Sequence, residues 1–129
     1  MGESKIVGKR VLLADDDAGV RNSIQLLLAF DKHKVTGAQN GKEALELFRR
    51  EHFDLVITDY AMPEMQGDEL AANIRRAVPG QPIIMITAYA ESVKRPDNPV
   101  DIILSKPFSF QDLRRAIAKV LGGAGRERT

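Results

Sequence analysis

Five polar residues have side chains that could form a metal-binding site if the fold brought them together. Asp15, Asp16 and Asp59 carry carboxylates, Thr87 carries a hydroxyl, and Lys106 carries a positive charge. Three adjacent carboxylates repel one another, and each raises the pKa of the others unless a hard cation holds them. Mg²⁺ is the natural ion, because it prefers a few carboxylates together with waters and phosphate oxygens. The four charged groups sum to −2, which one divalent ion cancels.

These polar residues come at or just beyond the ends of apolar runs, and such runs predict buried strands. The runs cover residues 11–14, 55–58, 83–86 and 102–104, and a fifth strand is predicted within 34–39. Unbroken apolar strands that alternate with helices indicate a parallel sheet covered on both faces. The sequence therefore predicts an open, doubly wound α/β domain of five βα units, a three-layer sandwich. In such sheets, ligands bind at the carboxyl ends of the strands.

Amphipathic stretches between the apolar runs predict the helices of this domain. The first helix is expected to run to about Phe30, with Asp17 as its N-cap. Asn40 with Glu43 resembles a capping box for the second helix, and a third helix is expected over about 68–77. Asp17 therefore favours a capping role over a metal-binding role.

The last two helices differ in how strongly the sequence predicts them. Ser109 with Asp112 caps a final helix, which the glycines at 122–123 stop. The prolines and turn residues of 96–99 leave room for only a short helix after Tyr89.

Composition limits the class of protein. The 129 residues are 43% hydrophobic and 29% charged, with a net charge of +1 and no cysteine. This predicts one globular domain without disulfides, and the near-neutral charge argues against direct binding of nucleic acid. No apolar run approaches the roughly 18 residues that span a bilayer, so we expect a cytoplasmic protein that does not bind membranes.

Each candidate residue taken alone has a simpler structural role. An aspartate after a strand is commonly a turn residue, a threonine can satisfy a nearby backbone group, and a lysine is usually a solvated surface charge. Their joint placement at four strand ends is what favours a functional site.

Four sequence strings carry a resemblance to a known family. VLLADDD, LVITDYAMPEMQG, MITA and SKPF resemble, in this order, the signatures of response-regulator receiver domains of the chemotaxis-regulator type. The resemblance covers about residues 9–121. It implies a flavodoxin-like fold with strand order 2-1-3-4-5. The expected organisation is an N-terminal tail over 1–8, a receiver domain over 9–122, and a flexible tail or linker start over 123–129.

The resemblance also implies a role for each acidic residue. Asp59 would accept a phosphoryl group from the phosphohistidine of a histidine kinase in a Mg²⁺-dependent step. Asp15 and Asp16 would form the acidic pair, with Asp16 the more direct metal ligand and Asp15 acting partly through water. The peptide carbonyl of Ala61 would complete the protein's share of the coordination.

The remaining motif residues would bind the phosphoryl group and respond to it. Thr87 resembles a switch hydroxyl that bonds a phosphoryl oxygen, and Lys106 resembles a cation that pairs with another. Pro107 would follow a cis peptide bond, although a proline that leads into the last helix is the alternative. The switch would reshape the face made by helix four, strand five and helix five.

Such a switch implies partners of defined kinds. We expect a sensor histidine kinase or phosphotransfer protein, a phosphorylation-dependent output domain or target protein, and a weak homodimer. The domain would be a signalling phosphoacceptor and not an enzyme, apart from self-phosphotransfer and autodephosphorylation.

Several positions depart from the family pattern. Ile103 stands where the family usually has a switch aromatic, and Tyr89 could supply an alternative one. Thr87 and Lys106 are 19 positions apart, about one helical turn fewer than usual, so helix four should be truncated or irregular. The conformation of 89–99 and the lifetime of the phosphoryl group stay open.

Alternative functions are weaker. A haloacid-dehalogenase-like phosphatase would need a second aspartate two residues after Asp59, where this chain has Ala61. A nucleotide- or flavin-binding module would need a glycine-rich loop after the first strand. A receiver-like domain that signals without phosphorylation is the remaining alternative, and a stand-alone protein and an excised domain are both compatible with the sequence.

Overall fold

A computed structural model of the chain describes residues 6–122. The predicted C-terminal tail over 123–129, and residues 1–5 of the predicted N-terminal tail, lie outside these described residues. Strands and helices alternate through the described part. The elements are β1 Arg10–Ala14, α1 Ala18–Phe30, β2 Lys34–Ala38, α2 Gly41–Arg50, β3 Leu55–Asp59, α3 Gly67–Ala77, β4 Ile83–Thr87, α4 Ala90–Val93, β5 Ile102–Ser105 and α5 Phe110–Leu121.

The five strands form one parallel sheet in the order β2-β1-β3-β4-β5. This confirms the predicted fold class and strand order. The register pairs Asp59 with Ile86 and Thr87 with Ser105. Because all strands run in the same direction, their carboxyl ends share one edge, where the candidate residues lie.

Alternate residues of each central strand pack on opposite faces of the sheet. Val11 and Leu13 contribute to one apolar cluster with residues of α1 and α5, whereas Leu12 and Ala14 contribute to another with residues of α2 and α3. Period-two alternation sends successive side chains to opposite faces, and both faces here are covered by helices. This arrangement explains why the strands read as unbroken apolar runs.

The predicted helix caps are present. Asp17 accepts a hydrogen bond of 3.1 Å from the backbone N–H of Val20, and Ser109 and Asp112 form a reciprocal capping box. Asn40 also caps α2, accepting from the N–H of Glu43 at 2.7 Å. The resemblance to a capping box was partly wrong there.

The carboxylate of Glu43 accepts its hydrogen bond from the N–H of Gln39, one residue before the N-cap. Asn40 is fully extended, with φ −159° and ψ 170°. The carboxylate therefore satisfies a backbone donor just outside the helix, and the side chain of Asn40 caps the first turn of α2.

The fourth helix has four residues, as the prolines after it predicted. Val93 at its end is buried and anchors it. Arg75 on α3 donates to the carbonyl of Pro99 at 2.8 Å and to the carboxylate of Asp101 at 2.9 Å, which ties the segment before β5 to the body of the domain. None of the helices among residues 6–122 is long and apolar enough to cross a membrane.

Candidate functional site

Asp15 follows β1 and is completely buried. Its Oδ1 accepts a hydrogen bond of 2.9 Å from the backbone N–H of Asp17, and its carbonyl oxygen accepts one of 2.6 Å from the side chain of Arg21. Its Oδ2 has no hydrogen-bond partner within residues 6–122. The turn into α1 therefore orients one carboxylate oxygen, while the other has no hydrogen-bond donor and faces the charge of Lys106.

Asp59 ends β3 and is 7% exposed. Its Oδ1 accepts a hydrogen bond of 2.9 Å from the backbone N–H of Tyr60 and lies 3.3 Å from Nζ of Lys106. Lys106 also lies 3.6 Å from Oδ2 of Asp15. One lysine thus faces two buried carboxylates that come from different strands.

One carboxylate oxygen from each of Asp15, Asp16 and Asp59 lies within 4.8 Å of the other two. Burial raises the pKa of Asp15, with Asp16 contributing and Lys106 opposing the change. Burial and the charge of Asp15 raise the pKa of Asp59, again against Lys106. The cluster therefore holds more negative charge than one lysine compensates.

This donor set suits a hard divalent cation. The buried Oδ2 of Asp15 lacks a hydrogen-bond donor, and all three side chains offer the oxygen atoms that Mg²⁺ prefers. Asp16 is exposed, so the cluster opens to solvent on one side and a phosphate-bearing ligand could reach it.

Lys106 lies just beyond β5, and its peptide bond to Pro107 is cis, as the family resemblance implied. Its backbone N–H donates to the carbonyl of Thr87 at 2.8 Å, which joins the ends of β4 and β5. The side chain is 26% exposed. Its backbone is therefore fixed by the sheet, and its charge lies among the carboxylates.

Thr87 is buried at the end of β4, but its hydroxyl does not bond the carboxylates. Oγ1 accepts a hydrogen bond of 2.9 Å from the backbone N–H of Tyr89. Ala61 is exposed, two residues past Asp59, and it can offer only its backbone to a metal. The structure thus brings Asp15, Asp16, Asp59 and Lys106 together, and it places Thr87 at the end of β4 and Ala61 on the loop after β3.

Two features of the site were missed from the sequence. A Cβ atom on Gly67 would overlap the carbonyl oxygen of Asp59, so the first turn of α3 packs directly on the backbone of the candidate nucleophile. The N–H of Gly67 also donates to Tyr60 at 2.8 Å. The glycine itself was the available signal, since glycine often marks a close backbone approach. The second missed feature is the backbone N–H of Asp17, which orients the carboxylate of Asp15. Because the donor is a backbone group, no residue type in the sequence indicates this hydrogen bond.

Comparison with known proteins agrees with this geometry. The family described as response regulator receiver domain matches residues 11–118. The chain belongs to this family. The receiver is 40% identical over 116 residues to the response regulator receiver protein CpdR of Brucella abortus, covering 88% of this chain and 97% of CpdR.

The receiver also matches part of a longer regulator and a solved structure. It is 37% identical to the transcriptional regulatory protein GlrR of Escherichia coli over 86% of this chain, but it spans only 26% of GlrR. The response regulator TrrA of Thermotoga maritima, solved in complex with Mg²⁺ and BeF, superposes with a TM-score of 0.81 at 34% identity, covering 88% of this chain and 99% of TrrA. Receivers are signalling domains of two-component systems, and the acidic cluster fits a Mg²⁺-dependent phosphoacceptor aspartate.

Proposed function

We propose that the receiver accepts a phosphoryl group on Asp59 and is switched by it. The observation that carries the proposal is the position of Asp59 Oδ1, 3.3 Å from Nζ of Lys106 inside a cluster of three carboxylates. Oδ1 of Asp59 is bound by the N–H of Tyr60 and lies beside Lys106, so Oδ2 is the oxygen available for attack. The donor would be the phosphohistidine of a histidine kinase or phosphotransfer protein.

The transfer is an in-line displacement at phosphorus. An oxygen of Asp59 forms the new P–O bond as the P–N bond of the phosphohistidine breaks, and the imidazole nitrogen keeps the bonding electron pair. A carboxylate is a weak nucleophile, so positioning and charge neutralisation supply most of the rate. Lys106 contributes both, because its ammonium group lies beside Asp59 and can pair with a phosphoryl oxygen.

Asp15, Asp16 and Asp59 would hold Mg²⁺ together with the backbone carbonyl of Ala61. When bound, the ion supplies positive charge that offsets the carboxylates and the phosphoryl oxygens. Asp16 is the exposed member and would contact the metal most directly, while Asp15, oriented by the N–H of Asp17, would act partly through water.

The phosphorylated state would be recognised through Thr87 and Lys106. A phosphoryl group adds about −1.5 to −2 charge and three strong acceptor oxygens. We infer that the Thr87 hydroxyl turns to one of these oxygens, Lys106 pairs with another, and the face made by α4, β5 and α5 changes. That face would contact an output domain, a target protein or a second receiver, in the cytoplasm.

Intact-mass spectrometry after incubation with acetyl phosphate tests the proposal. With Mg²⁺, the wild type should gain the mass of one phosphoryl group, and without Mg²⁺ the gain should be lost. Asp59→Asn should show no gain. Asp97→Asn is the matched control, because Asp97 is exposed and lies outside the cluster, and it should behave as wild type.

An unmodified wild type under these conditions would require a second measurement. Beryllofluoride mimics a bound phosphoryl group. If the acyl phosphate is formed but hydrolyses quickly, a titration should show that beryllofluoride binds to the protein. If neither reagent acts on a folded protein, the domain signals without phosphorylation and the proposal is wrong.

A further inference from the structure

Arg21 on α1 binds the backbone of the acidic pair. Its Nη1 donates a hydrogen bond of 2.6 Å to the carbonyl oxygen of Asp15. That oxygen belongs to the peptide group that joins Asp15 to Asp16, the two acidic residues that follow β1. The hydrogen bond therefore fixes the link between two of the three residues of the acidic cluster.

The two residues of the acidic pair differ in what directs their carboxylates. Asp15 is buried, its Oδ1 accepts from the N–H of Asp17, and its own N–H donates to the carbonyl of Ala38 at 3.1 Å. Asp16 is exposed, so its carboxylate is directed mainly by the backbone that precedes it. That backbone is the peptide group that Arg21 binds.

Gly37 on β2 leaves the space through which Arg21 reaches this peptide group. A Cβ atom at Gly37 would lie 3.4 Å from Cδ and 3.7 Å from Nε of Arg21, and 3.0 Å from Nε2 of Gln25. Glycine within a strand often marks such a close approach. The aliphatic stem of Arg21 therefore crosses the edge strand of the sheet at a position where that strand has no side chain.

The charge of Arg21 and its hydrogen bond act on a bound cation in opposite directions. A guanidinium near the carboxylates repels a divalent ion, so its charge alone would weaken the binding of a metal. A hydrogen bond from a charged donor is strong, and groups that orient the ligands of a metal commonly change its affinity about 10–100-fold. The sign of the change in metal affinity on removal of Arg21 therefore distinguishes the two effects.

We propose that Arg21 is a positioning residue for the metal site: through the gap at Gly37 it holds the peptide group between Asp15 and Asp16, so that both carboxylates face the same ion. The inference rests on the proposed function, because it needs a divalent ion at the acidic cluster. Without the hydrogen bond, this peptide group can rotate. The ion then has to order the carboxylates as it binds, which lowers its affinity.

Binding of Mn²⁺ alone tests this positioning without any phosphodonor. Mn²⁺ is bound by the same kinds of oxygen ligand as Mg²⁺, and the electron paramagnetic resonance signal of the free ion gives its Kd. Arg21→Met keeps an unbranched stem but removes the donor, and it should raise the Kd about tenfold. Arg21→Lys keeps a charged donor and should recover part of the affinity. Arg49→Met removes an exposed arginine of α2 and should leave the Kd unchanged.

Gly37→Val disturbs Arg21 without replacing it, because the valine side chain takes the space of the arginine stem. It should raise the Kd for Mn²⁺ in the wild type and add nothing in Arg21→Met, where the donor is already absent. Circular dichroism shows that each variant is folded under the conditions of the titration. An equal rise in both backgrounds would contradict the route through Arg21 and overturn the inference.

Phosphorylation separates this inference from the proposed function. In intact-mass time courses with acetyl phosphate, Arg21→Met should need about ten times more Mg²⁺ for its half-maximal rate and should approach the wild-type rate at saturating Mg²⁺. A Kd for Mn²⁺ in Arg21→Met that equals or falls below the wild-type Kd overturns the inference and leaves the proposed function intact. If the wild type binds no Mn²⁺, the metal-dependent step of the proposed function fails, and the inference fails with it.

Discussion

Asp15 and Asp59 place two carboxylates where little water reaches them. Within residues 6–122, the cation paired with both is Lys106, at 3.6 Å and 3.3 Å. Burial raises the pKa of each group, so the charged forms are less stable in the folded chain than in water. The metal-free site should therefore reduce the stability of the folded protein, and neutralising one carboxylate should restore part of it.

We expect Asp59→Asn to raise the free energy of unfolding by about 1 kcal/mol without Mg²⁺, a rise in Tm of roughly 3–5 °C. The amide can still accept the hydrogen bond from Tyr60, but it removes one buried negative charge. Saturating Mg²⁺, at about 100 times its Kd, should stabilise the wild type by about 2.7 kcal/mol and the variant by much less. Thermal unfolding with and without Mg²⁺ measures both effects.

Asp97→Asn provides the comparison, because its side chain is 83% exposed. Its Tm and its response to Mg²⁺ should match those of the wild type. A metal-free Asp59→Asn that is less stable than wild type would mean that Lys106 more than compensates the cluster.

At the scale of elements, the first turn of α3 is held directly against the end of β3. Gly67 has no side chain, and a Cβ there would overlap the carbonyl oxygen of Asp59 and meet Cα of Tyr60 at 3.0 Å. Both neighbours are backbone atoms, so they cannot rotate away. The loop between β3 and α3 therefore positions the site through a close backbone contact.

Gly67→Ala should consequently lower the free energy of unfolding by about 2–3 kcal/mol and slow phosphorylation of Asp59. Gly80→Ala is a matched control, because a Cβ at Gly80 meets nothing within 4 Å, and it should change stability by less than about 1 kcal/mol. Denaturant unfolding and intact-mass time courses give the two readouts. Equal effects of the two substitutions would rule out the close contact as the cause.

Arg75 positions the segment between α4 and β5 through hydrogen bonds. It donates to the carbonyls of Pro79, Gln81 and Pro99 and to the carboxylate of Asp101. Asp101 in turn accepts from the N–H of Ile83 at 2.8 Å. One guanidinium thus joins the segments that lead into β4 and β5.

We expect Arg75→Ala to cost about 2–4 kcal/mol of stability, since several hydrogen bonds to one charged group are lost together. Arg75→Lys should recover only part of this, because an ammonium lacks the planar fork. Arg76→Ala, at the exposed neighbouring position, should stay within about 0.5 kcal/mol of wild type. If the two alanine variants unfold at the same denaturant concentration, the network of Arg75 does not support the connection.

At the scale of the whole molecule, the features predicted correctly are those that depend on short stretches of sequence. The caps at Asp17 and Ser109 need partners only three residues away. The acidic cluster was also predictable, because parallel strands bring their carboxyl ends to one edge. Long-range contacts were not predictable: the bonds of Arg75 to Pro99 and Asp101 reach 24 and 26 residues along the chain, and the glycine at position 67 signals a close backbone approach without indicating that Asp59 is the partner.

His33 belongs to the same class of feature missed from the sequence. It lies before β2, 6% exposed, and its Nδ1 accepts a hydrogen bond of 3.0 Å from the N–H of Lys9. The proton of the neutral ring is therefore on Nε2, which has no hydrogen-bond partner within residues 6–122. Burial lowers the pKa of His33 below 6.5, Asp31 opposes this change, and Lys9 adds to it.

The lowered pKa of His33 makes the stability of the domain depend on pH with a defined sign. Below pH 6.5 the unfolded chain binds a proton at His33 that the folded chain still excludes. The free energy of unfolding therefore decreases as the pH is lowered, by at most about 1.4 kcal/mol per pH unit for one proton. His33→Asn can keep an acceptor near the position of Nδ1 but cannot titrate. It should therefore remove the contribution of His33 to the pH dependence of the free energy of unfolding. The difference between the two proteins, followed by denaturant unfolding from pH 7.5 downwards, isolates it from the carboxylates of the acidic cluster.

The second histidine supplies the control for this measurement. His52→Asn replaces a histidine whose side chain is 79% exposed, and its slope between neutral pH and pH 5 is the reference for the loss of an imidazole at the surface. If His33→Asn shows the same slope as His52→Asn, His33 is protonated as readily in the folded chain as in the unfolded one. The buried imidazole would then have to be stabilised in its charged form by Asp31, which bonds Arg114 through both carboxylate oxygens.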